Sequence, residues 1–372
     1  MRSELPDYPW DAMAPYIARA ATHERGAINL SIGSPVDPTP VSVREALAAA
    51  TESHSYPATA GTAELREAIS EWYLRRRGVT VAADAVLPTV GSKELVALMP
   101  MLLGLGPGEA VVFPRVAYPS YAMGAALVGA EAFASDDPAE WPANTKLVWL
   151  NSPGNPDGRV LGIAAMRAAV ARARALGAVI VGDECYAEFG WQAPWDTEPI
   201  PSLLDPRVVE DDHRDVLAIY SLSKQSNLAG YRAAFLAGDR ALVARLLTVR
   251  KHAGLIVPGP VQSAMVAALA DETHVHEQRA RYHSRRDVLR PALVAAGFQV
   301  EGSEAGLYLW VTRGVDAWQT IADLAELGIV AGPGHFYGEH SPNHVRLALT
   351  ASDADISEAA ARLRASAVPR TV

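Results

Sequence analysis

The chain holds only four lysines, Lys93, Lys146, Lys224 and Lys251, so each can be weighed in its own setting. Lys146 precedes an apolar run and Lys251 ends an apolar helical stretch; both read as solvated surface. Lys93 stands at an expected helix start, on the surface or facing a phosphate. Lys224 lies in YSLSKQSNLAGYR, just past the apolar run VLAIYS, with Ser221 and Ser223 beside it and Gly230 and Arg232 after it. Hydroxyls, a glycine and a guanidinium make a small anion-binding set. A lysine beside a phosphate site at a strand end suits a Schiff base with pyridoxal phosphate. Taken alone, the segment also reads as a plain surface loop.

That chemistry requires further parts. The cofactor is an electron sink only while its ring nitrogen stays protonated, so a carboxylate must face it. AVIVGDECYAEF supplies Asp183 at the end of an apolar run. A helix N-cap or a metal ligand are the other uses of an aspartate there. Glu184 and Cys185 alternate to other faces and no histidine is near, which argues against metal. Tyr186 stands three residues on, able to donate to the cofactor's phenolate oxygen. NSPGNPDG aims Asn155 into the cleft from a tight turn, or is a simple surface turn. TVGSKE places Gly91 and Ser92 at a helix N-terminus able to take a phosphate. PRVAYPSY offers Tyr118 to stack on an aromatic ring. HVRLALT carries Arg346 among apolar residues, where its fork needs a carboxylate, and a substrate carboxylate matches it.

The elements that must position these groups are legible as alternation. VLPTV, EAVVF, KLVWLN, AVIVGD, VLAIYS and AAFLAG read as short apolar strands. Helices fall between them, at Ser92–Leu103, Tyr118–Val128 and Gly162–Leu176. This pattern belongs to a mostly parallel sheet covered on both faces, whose loops at the strand carboxyl ends bind ligands. Upstream, residues 41–78 read as helical, ending at Gly78. Residues 1–40, with Pro6, Pro9, Pro15, Pro35, Pro38 and Pro40, read as an irregular arm lying over another surface. Beyond about residue 258 come a helix over His274–Ala296, the runs FQV, GLYLWVT, GIV and HVRLALT, and two more helices: a smaller α+β unit. We divide the chain into residues 1–40, an arm and part of the small domain; 41–275, a large domain; and 276–372, a small C-terminal domain.

Composition excludes other classes. Among 372 residues, 33 Lys+Arg against 42 Asp+Glu leave a net charge of −9 and no basic block for nucleic acid or an anionic membrane. One cysteine forbids an internal disulfide and fits a reducing compartment. No apolar run is long enough to span a bilayer, and the N-terminus lacks a signal-peptide core, so a cytoplasmic enzyme is expected. GLGPGEAVV precedes a strand, where a dinucleotide fingerprint would follow one, and reads as a turn. His335, His340 and His344 read as loop and surface histidines, and no metal is expected.

The set GSKE, PxxxYPxY, NPxG, DExY, SLSK and GxR, in this order, with Arg346, resembles the fold-type I pyridoxal-phosphate aminotransferases of the aspartate aminotransferase superfamily. The resemblance covers nearly the whole chain. LPDYPWDAMAPY, SYPATAGTAELREAI, RKHAGLIVPGPVQSAMVAAL and GLYLWVTRG are most similar to the actinobacterial type of N-succinyldiaminopimelate aminotransferase. The resemblance implies an α/β fold with a mostly parallel seven-stranded sheet in the large domain. It implies that Lys224 forms the Schiff base and shuttles a proton, with Asp183 on the ring nitrogen. Asn155 and Tyr186 would bind the phenolate oxygen, and Tyr118 would stack on the ring. The phosphate would be held by Ser92 with the backbone of Gly91, Ser92 and Lys93, and by Ser221, Ser223 and Arg232. Tyr56 would reach the phosphate of a neighbouring subunit, making a homodimer. Arg346, with Asn155 and the backbone near Gly33, would take the substrate α-carboxylate. The implied reaction moves an amino group from N-succinyl-L,L-diaminopimelate to 2-oxoglutarate, in lysine biosynthesis. Another amino donor, or a β-lyase on the same scaffold, would use the same lysine and aspartate. A DNA-binding regulator on this fold needs an added domain, and the match begins by residue 5. Two departures stand out: Asp157 in the turn Asn155-Pro156-Asp157-Gly158, and His335 where relatives carry Asp, in a loop expected near the substrate.

Overall fold

The structure is a computed structural model that describes residues 8–366. The first part of the expected arm, residues 1–7 with Pro6, lies outside the described residues. Thirteen strands occur among the described residues. β1 is Ile28–Asn29, β2 Val86–Val90, β3 Ala110–Phe113, β4 Glu131–Ala134, β5 Thr145–Asn151, β6 Val179–Asp183, β7 Val216–Ser221 and β8 Ala233–Gly238. β9 is Gln299–Glu301, β10 Tyr308–Thr312, β11 Ile329–Val330, β12 Gly332–Pro333 and β13 His344–Ala348.

A seven-stranded sheet runs in the order β2-β8-β7-β6-β5-β3-β4. Only β8 is antiparallel to its neighbours. β6 and β7 are almost wholly apolar and buried along their length, as strands covered on both faces must be. β4 is the strand that periodicity missed. EAFA is short, half exposed and at the sheet edge, so its composition carries little burial signal.

The parallel strands bring their carboxyl ends to one edge, and the registers Asn151↔Asp183 and Asp183↔Ile219 set the ends of β5, β6 and β7 side by side. Because β8 runs the other way, its start lies at that same edge, which delivers Arg232. The helix Ser92–Leu103 leaves β2 through Gly91, a residue at φ +75° and ψ 160° that only glycine adopts without strain. No side chain caps that helix, so its first N–H groups point free into the cleft.

Residues 41–78 form two helices, Val41–Ala49 and Ala63–Arg77, separated by an irregular stretch. Thr62 caps the second through Leu65 N at 3.1 Å, and Gly78 at φ +63° ends it. The expected helix at Tyr118 begins at Ser120, because the residue before a proline is disfavoured in the helical region. A four-stranded antiparallel sheet, β12-β13-β10-β9, packs with the helices Thr273–Ala295, Ala317–Glu326 and Asp353–Ala365 in a second apolar cluster. The helix Thr273–Ala295 runs unbroken through the expected boundary at residue 275.

Pro9–Met13 and Ala14–Ala21 are helical rather than irregular, and Met13, Ala20, Ile28 and Leu30 are buried in this second cluster. β1 pairs with β11, so the early chain is built into the C-terminal part. Prolines at Pro9 and Pro15 sit in the first turns of these helices, where a missing N–H costs little. Residues 30–38 then cross to the large sheet. Asp37 accepts both guanidinium nitrogens of buried Arg285, at 2.6 and 2.8 Å, and Asn227 donates to Pro38 O at 3.2 Å.

Candidate active site

A cleft of about 950 Å³ opens where the strand ends meet the β10–β13 sheet. Gly33, Ser92, Lys93, Tyr118, Asn155, Asp183, Tyr186, Ser221, Ser223, Lys224, Arg232 and Arg346 all line it. Gly91 lies directly against Arg232; a Cβ there would fall 2.1 Å from Nη2. Tyr56 is the exception, 98% exposed in the stretch between the first two helices of residues 41–78.

At one end are anion-binding groups. Ser221 Oγ accepts from Ser223 N at 3.2 Å and donates to Ser223 Oγ at 2.8 Å, capping the short turn that carries Lys224. Arg232 and the uncapped N–H groups at Ser92 line the same cleft as these hydroxyls, with the bare face of Gly91 against Arg232, a set of groups able to hold an anion.

Asp183 forms the floor. It is buried, and no cation pairs with it among the described residues. Tyr121 Oη donates to its Oδ2 at 2.8 Å, and Cys185 N to its Oδ1 at 3.3 Å. Burial raises its proton affinity, against the pull of the Cys185 and Tyr121 hydrogen bonds. A buried carboxylate held this way calls for a positive partner from within the cleft.

Lys224 Nζ donates to Gly33 O, and burial lowers the ammonium pKa. Tyr308 and Cys185 oppose that shift, while Arg346 and Arg232 add to it. A lysine shifted down is closer to the neutral, nucleophilic amine.

Arg346 sits on β13 opposite Trp310 and is buried. It donates to Asn155 Oδ1 at 2.8 Å and Ser31 O at 2.6 Å, while its Nε has no partner. Its Cζ lies 3.9 Å from the Tyr308 ring centre and 5.0 Å from that of Tyr337. Asn155 is thereby oriented. Its oxygen faces Arg346, and its Nδ2 donates to Tyr186 Oη at 3.5 Å. Asn151 donates to Asp183 O at 3.0 Å and accepts from Asn155 N at 2.8 Å, tying the turn to the strand.

Sequence reasoning passed over Tyr121, Asn151 and Tyr308. Tyr121 is the second tyrosine of PRVAYPSY, three residues after Tyr118, and Asn151 ends KLVWLN. Tyr308 alternates with Trp310 on an apolar strand, where an aromatic reads as core. The loop at residues 334–340 lines the cleft through Phe336, Tyr337, Gly338, Glu339 and His340. His335 is not among the lining residues, contrary to its expected place near the substrate. It stacks on Trp318, with Nε2 3.5 Å from Asp316.

Residues 25–363 match the sequence profile of the aminotransferase class I and II family. The chain is 55% identical to the 4-dedimethylamino-4-oxo-anhydrotetracycline transaminase of Streptomyces rimosus, over 97% of this chain and 99% of that one. It is 31% identical to the LL-diaminopimelate aminotransferase of Dehalococcoides mccartyi, over 96% of both. Among solved structures, an aminotransferase from Neisseria meningitidis superposes with a TM-score of 0.87 at 31% identity, covering 98% of each chain. The chain belongs to the class I and II aminotransferases, with the α/β fold of fold-type I. It is a transaminase whose cofactor is pyridoxal phosphate. The uncompensated Asp183 carboxylate, the anion-binding groups around Gly91 and Arg232 and the depressed Lys224 amine fit that group. No helix among the described residues is long and apolar enough to cross a membrane.

Proposed function

We propose that the protein transfers an amino group between 2-oxoglutarate and an amino donor carrying a distal carboxylate, with N-succinyl-L,L-diaminopimelate as the donor. The carrying observation is that, apart from Lys224 and Arg232 beside the anion-binding hydroxyls, two cations of the cleft make no ion pair with a carboxylate among the described residues. Arg346 keeps Nε unpartnered in an aromatic box. Lys93 has no carboxylate partner among the described residues, and its Nζ lies 5.5 Å from the Tyr8 ring centre. Two cations in one cleft suit a substrate with an anion at each end, and 2-oxoglutarate shares that property.

Bound pyridoxal phosphate supplies an electron-accepting ring conjugated to the carbon where the amino group is exchanged. The protein's own groups do the rest. Asp183 keeps the proton on the ring nitrogen. Asn155 and Tyr186 would donate to the phenolate oxygen, and Tyr118 would stack on the ring. Lys224 Nζ moves the proton at the substrate Cα. Arg346 fixes the α-carboxylate through two parallel charge-assisted bonds.

The test is a donor panel scored by kcat/KM and by conversion of the cofactor to its amino form. The expected order places N-succinyl-L,L-diaminopimelate above aspartate, glutamate and aromatic amino acids. A simple amino acid better by tenfold, about 1.4 kcal/mol in the transition state, would overturn the donor. Absence of the amino form during turnover would favour β-elimination instead. Lys93→Ala is expected to raise KM for two-ended substrates roughly tenfold, as loss of a charge-assisted bond does, and to leave the KM of alanine unchanged.

A second reading has its own support. One wall of the cleft, with Phe113, Ala122, Met123, Ala126, Ala132 and Ala134, is apolar and built of small side chains. The Streptomyces rimosus relative is named for a polycyclic ketone, and such a wall suits flat hydrocarbon. A polycyclic ketone outperforming 2-oxoglutarate as acceptor would select this reading.

We infer a homodimer of shared sites from Tyr56, an exposed aromatic that makes sense against a second chain. Sedimentation at micromolar concentration is expected to show a dimer, and an active monomer would refute it.

A further inference from the structure

Tyr308, like Asn155, touches both halves of the cleft's chemistry. It stands on β10 opposite Ala348 and is buried. Its Oη lies 3.2 Å from Tyr186 Oη. Its ring lies under the Arg346 guanidinium at 3.9 Å. The hydroxyl occupies space that any side chain at residue 33 would fill, because a Cβ on Gly33 would come within 2.1 Å of it. Gly33 therefore has two duties: its carbonyl accepts from Lys224, and its missing side chain admits Tyr308.

Proton accounting gives the hydroxyl a direction. Tyr186 has one proton and two neighbours that offer theirs, Asn155 Nδ2 at 3.5 Å and Tyr308 Oη. Asn155 Oδ1 is taken by Arg346, so toward Tyr186 the amide presents one N–H, and its second N–H is left for the cofactor. If Tyr308 also donates, Tyr186 Oη has no use for its own proton among these groups and turns it toward the cofactor. Tyr186, Cys185, Lys224 and Tyr118 face Tyr308 from the large sheet, and Arg346, Tyr337 and Tyr282 face it from the other side. Burial pushes the Tyr308 phenol up, and the nearby Arg346 and Lys224 charges draw it down. Tyr186 is held well above the ordinary tyrosine value, mainly by burial. With the single Tyr186 proton given to the cofactor, Tyr308 is left as the donor of the pair.

We propose that Tyr308 is a positioning residue of the transamination site: its hydroxyl donates to Tyr186 and aims the single Tyr186 proton at the cofactor's phenolate oxygen, while its ring holds the Arg346 guanidinium flat for the substrate carboxylate. The proposal rests on the assignment of Tyr186 to that oxygen.

The test is a pH titration of the visible absorbance of the cofactor-loaded protein. A donor to the phenolate oxygen spreads its charge and eases loss of the proton shared there, so a weaker donor moves the midpoint up. Tyr308→Phe keeps the ring and removes one oxygen. Its midpoint is expected to rise by roughly half to one pH unit, the worth of one neutral hydrogen bond. Its KM for 2-oxoglutarate should change little. Tyr308→Leu also removes the ring and should raise that KM roughly three- to tenfold. Tyr186→Phe should raise the midpoint by itself, and Tyr186→Phe/Tyr308→Phe no further, since one acts through the other. A midpoint that moves in Tyr186→Phe but not in Tyr308→Phe overturns the proposal, as does full additivity in the double variant. An unmoved midpoint in Tyr186→Phe overturns the assignment beneath it.

Discussion

Lys224→Ala is expected to lower turnover by at least about 10⁴-fold, because it removes the covalent anchor and the proton carrier together. Loss of a general acid–base alone is worth about 10²–10⁴. The position admits no substitute. Lys146 and Lys251 are remote from the cleft, and Lys93 turns its ammonium toward Tyr8. Only Lys224 combines a strand-end position, neighbouring phosphate hydroxyls and a lowered ammonium pKa. The variant should fold, since its Nζ makes one hydrogen bond, to Gly33 O. Borohydride reduction of the wild-type protein followed by peptide mapping checks the assignment directly. Label on the Lys93, Lys146 or Lys251 peptide in place of the Lys224 peptide would sink it.

Asp183→Asn is expected to cost at least about 100-fold in kcat, within the range for losing one electrostatic contact in a buried site. The change is nearly isosteric. Cys185 N keeps Oδ1 to bond, and the Tyr121 hydroxyl can turn to accept from the new Nδ2, so the floor of the cleft keeps its shape. What changes is charge. A neutral amide cannot hold a pyridinium proton, and the ring loses its pull on electrons from Cα. Circular dichroism should match the wild type while the single-turnover rate falls. An Asn variant with near wild-type kcat would remove Asp183 from the reaction.

Much of this site was legible because its parts are punctuation. Gly91, Asn155, Asp183, Ser221 and Lys224 each follow an apolar strand, where a polar residue breaks a pattern and draws the eye. The sheet was legible for the same reason: β5, β6 and β7 each carry an apolar run, LVWL, VIV and VLAIY, that ends on a polar residue or a glycine. The residues passed over lack that contrast. Tyr308 and Trp310 lie on the same face of β10, and nothing in GLYLWVT says that one phenol meets another across the cleft. Tyr121 hides in a helix of alanines. β4 is too short and too exposed to show alternation. The early chain misled through its prolines, which permit helix in a first turn and forbid it only deeper inside. His335 misled because its loop does line the cleft while its own side chain turns away to Trp318.

The contacts that complete the cleft join distant parts of the chain. Arg346 reaches Ser31 across 315 residues, and Lys224 reaches Gly33 across 191. β1 has only one partner, β11, some 300 residues downstream. During synthesis at roughly 5–20 residues per second, Ile28 and Leu30 therefore wait on the order of 15–60 s for the surface that buries them. Secondary structure in the large sheet can form in that interval, because β5 to β8 lie close together in the chain. The carboxylate site cannot. In refolding, helical signal should return before the ability to bind a 2-oxo acid, since loop closure over such spans is the slow step. Competence for catalysis is thus the last property the folding chain acquires.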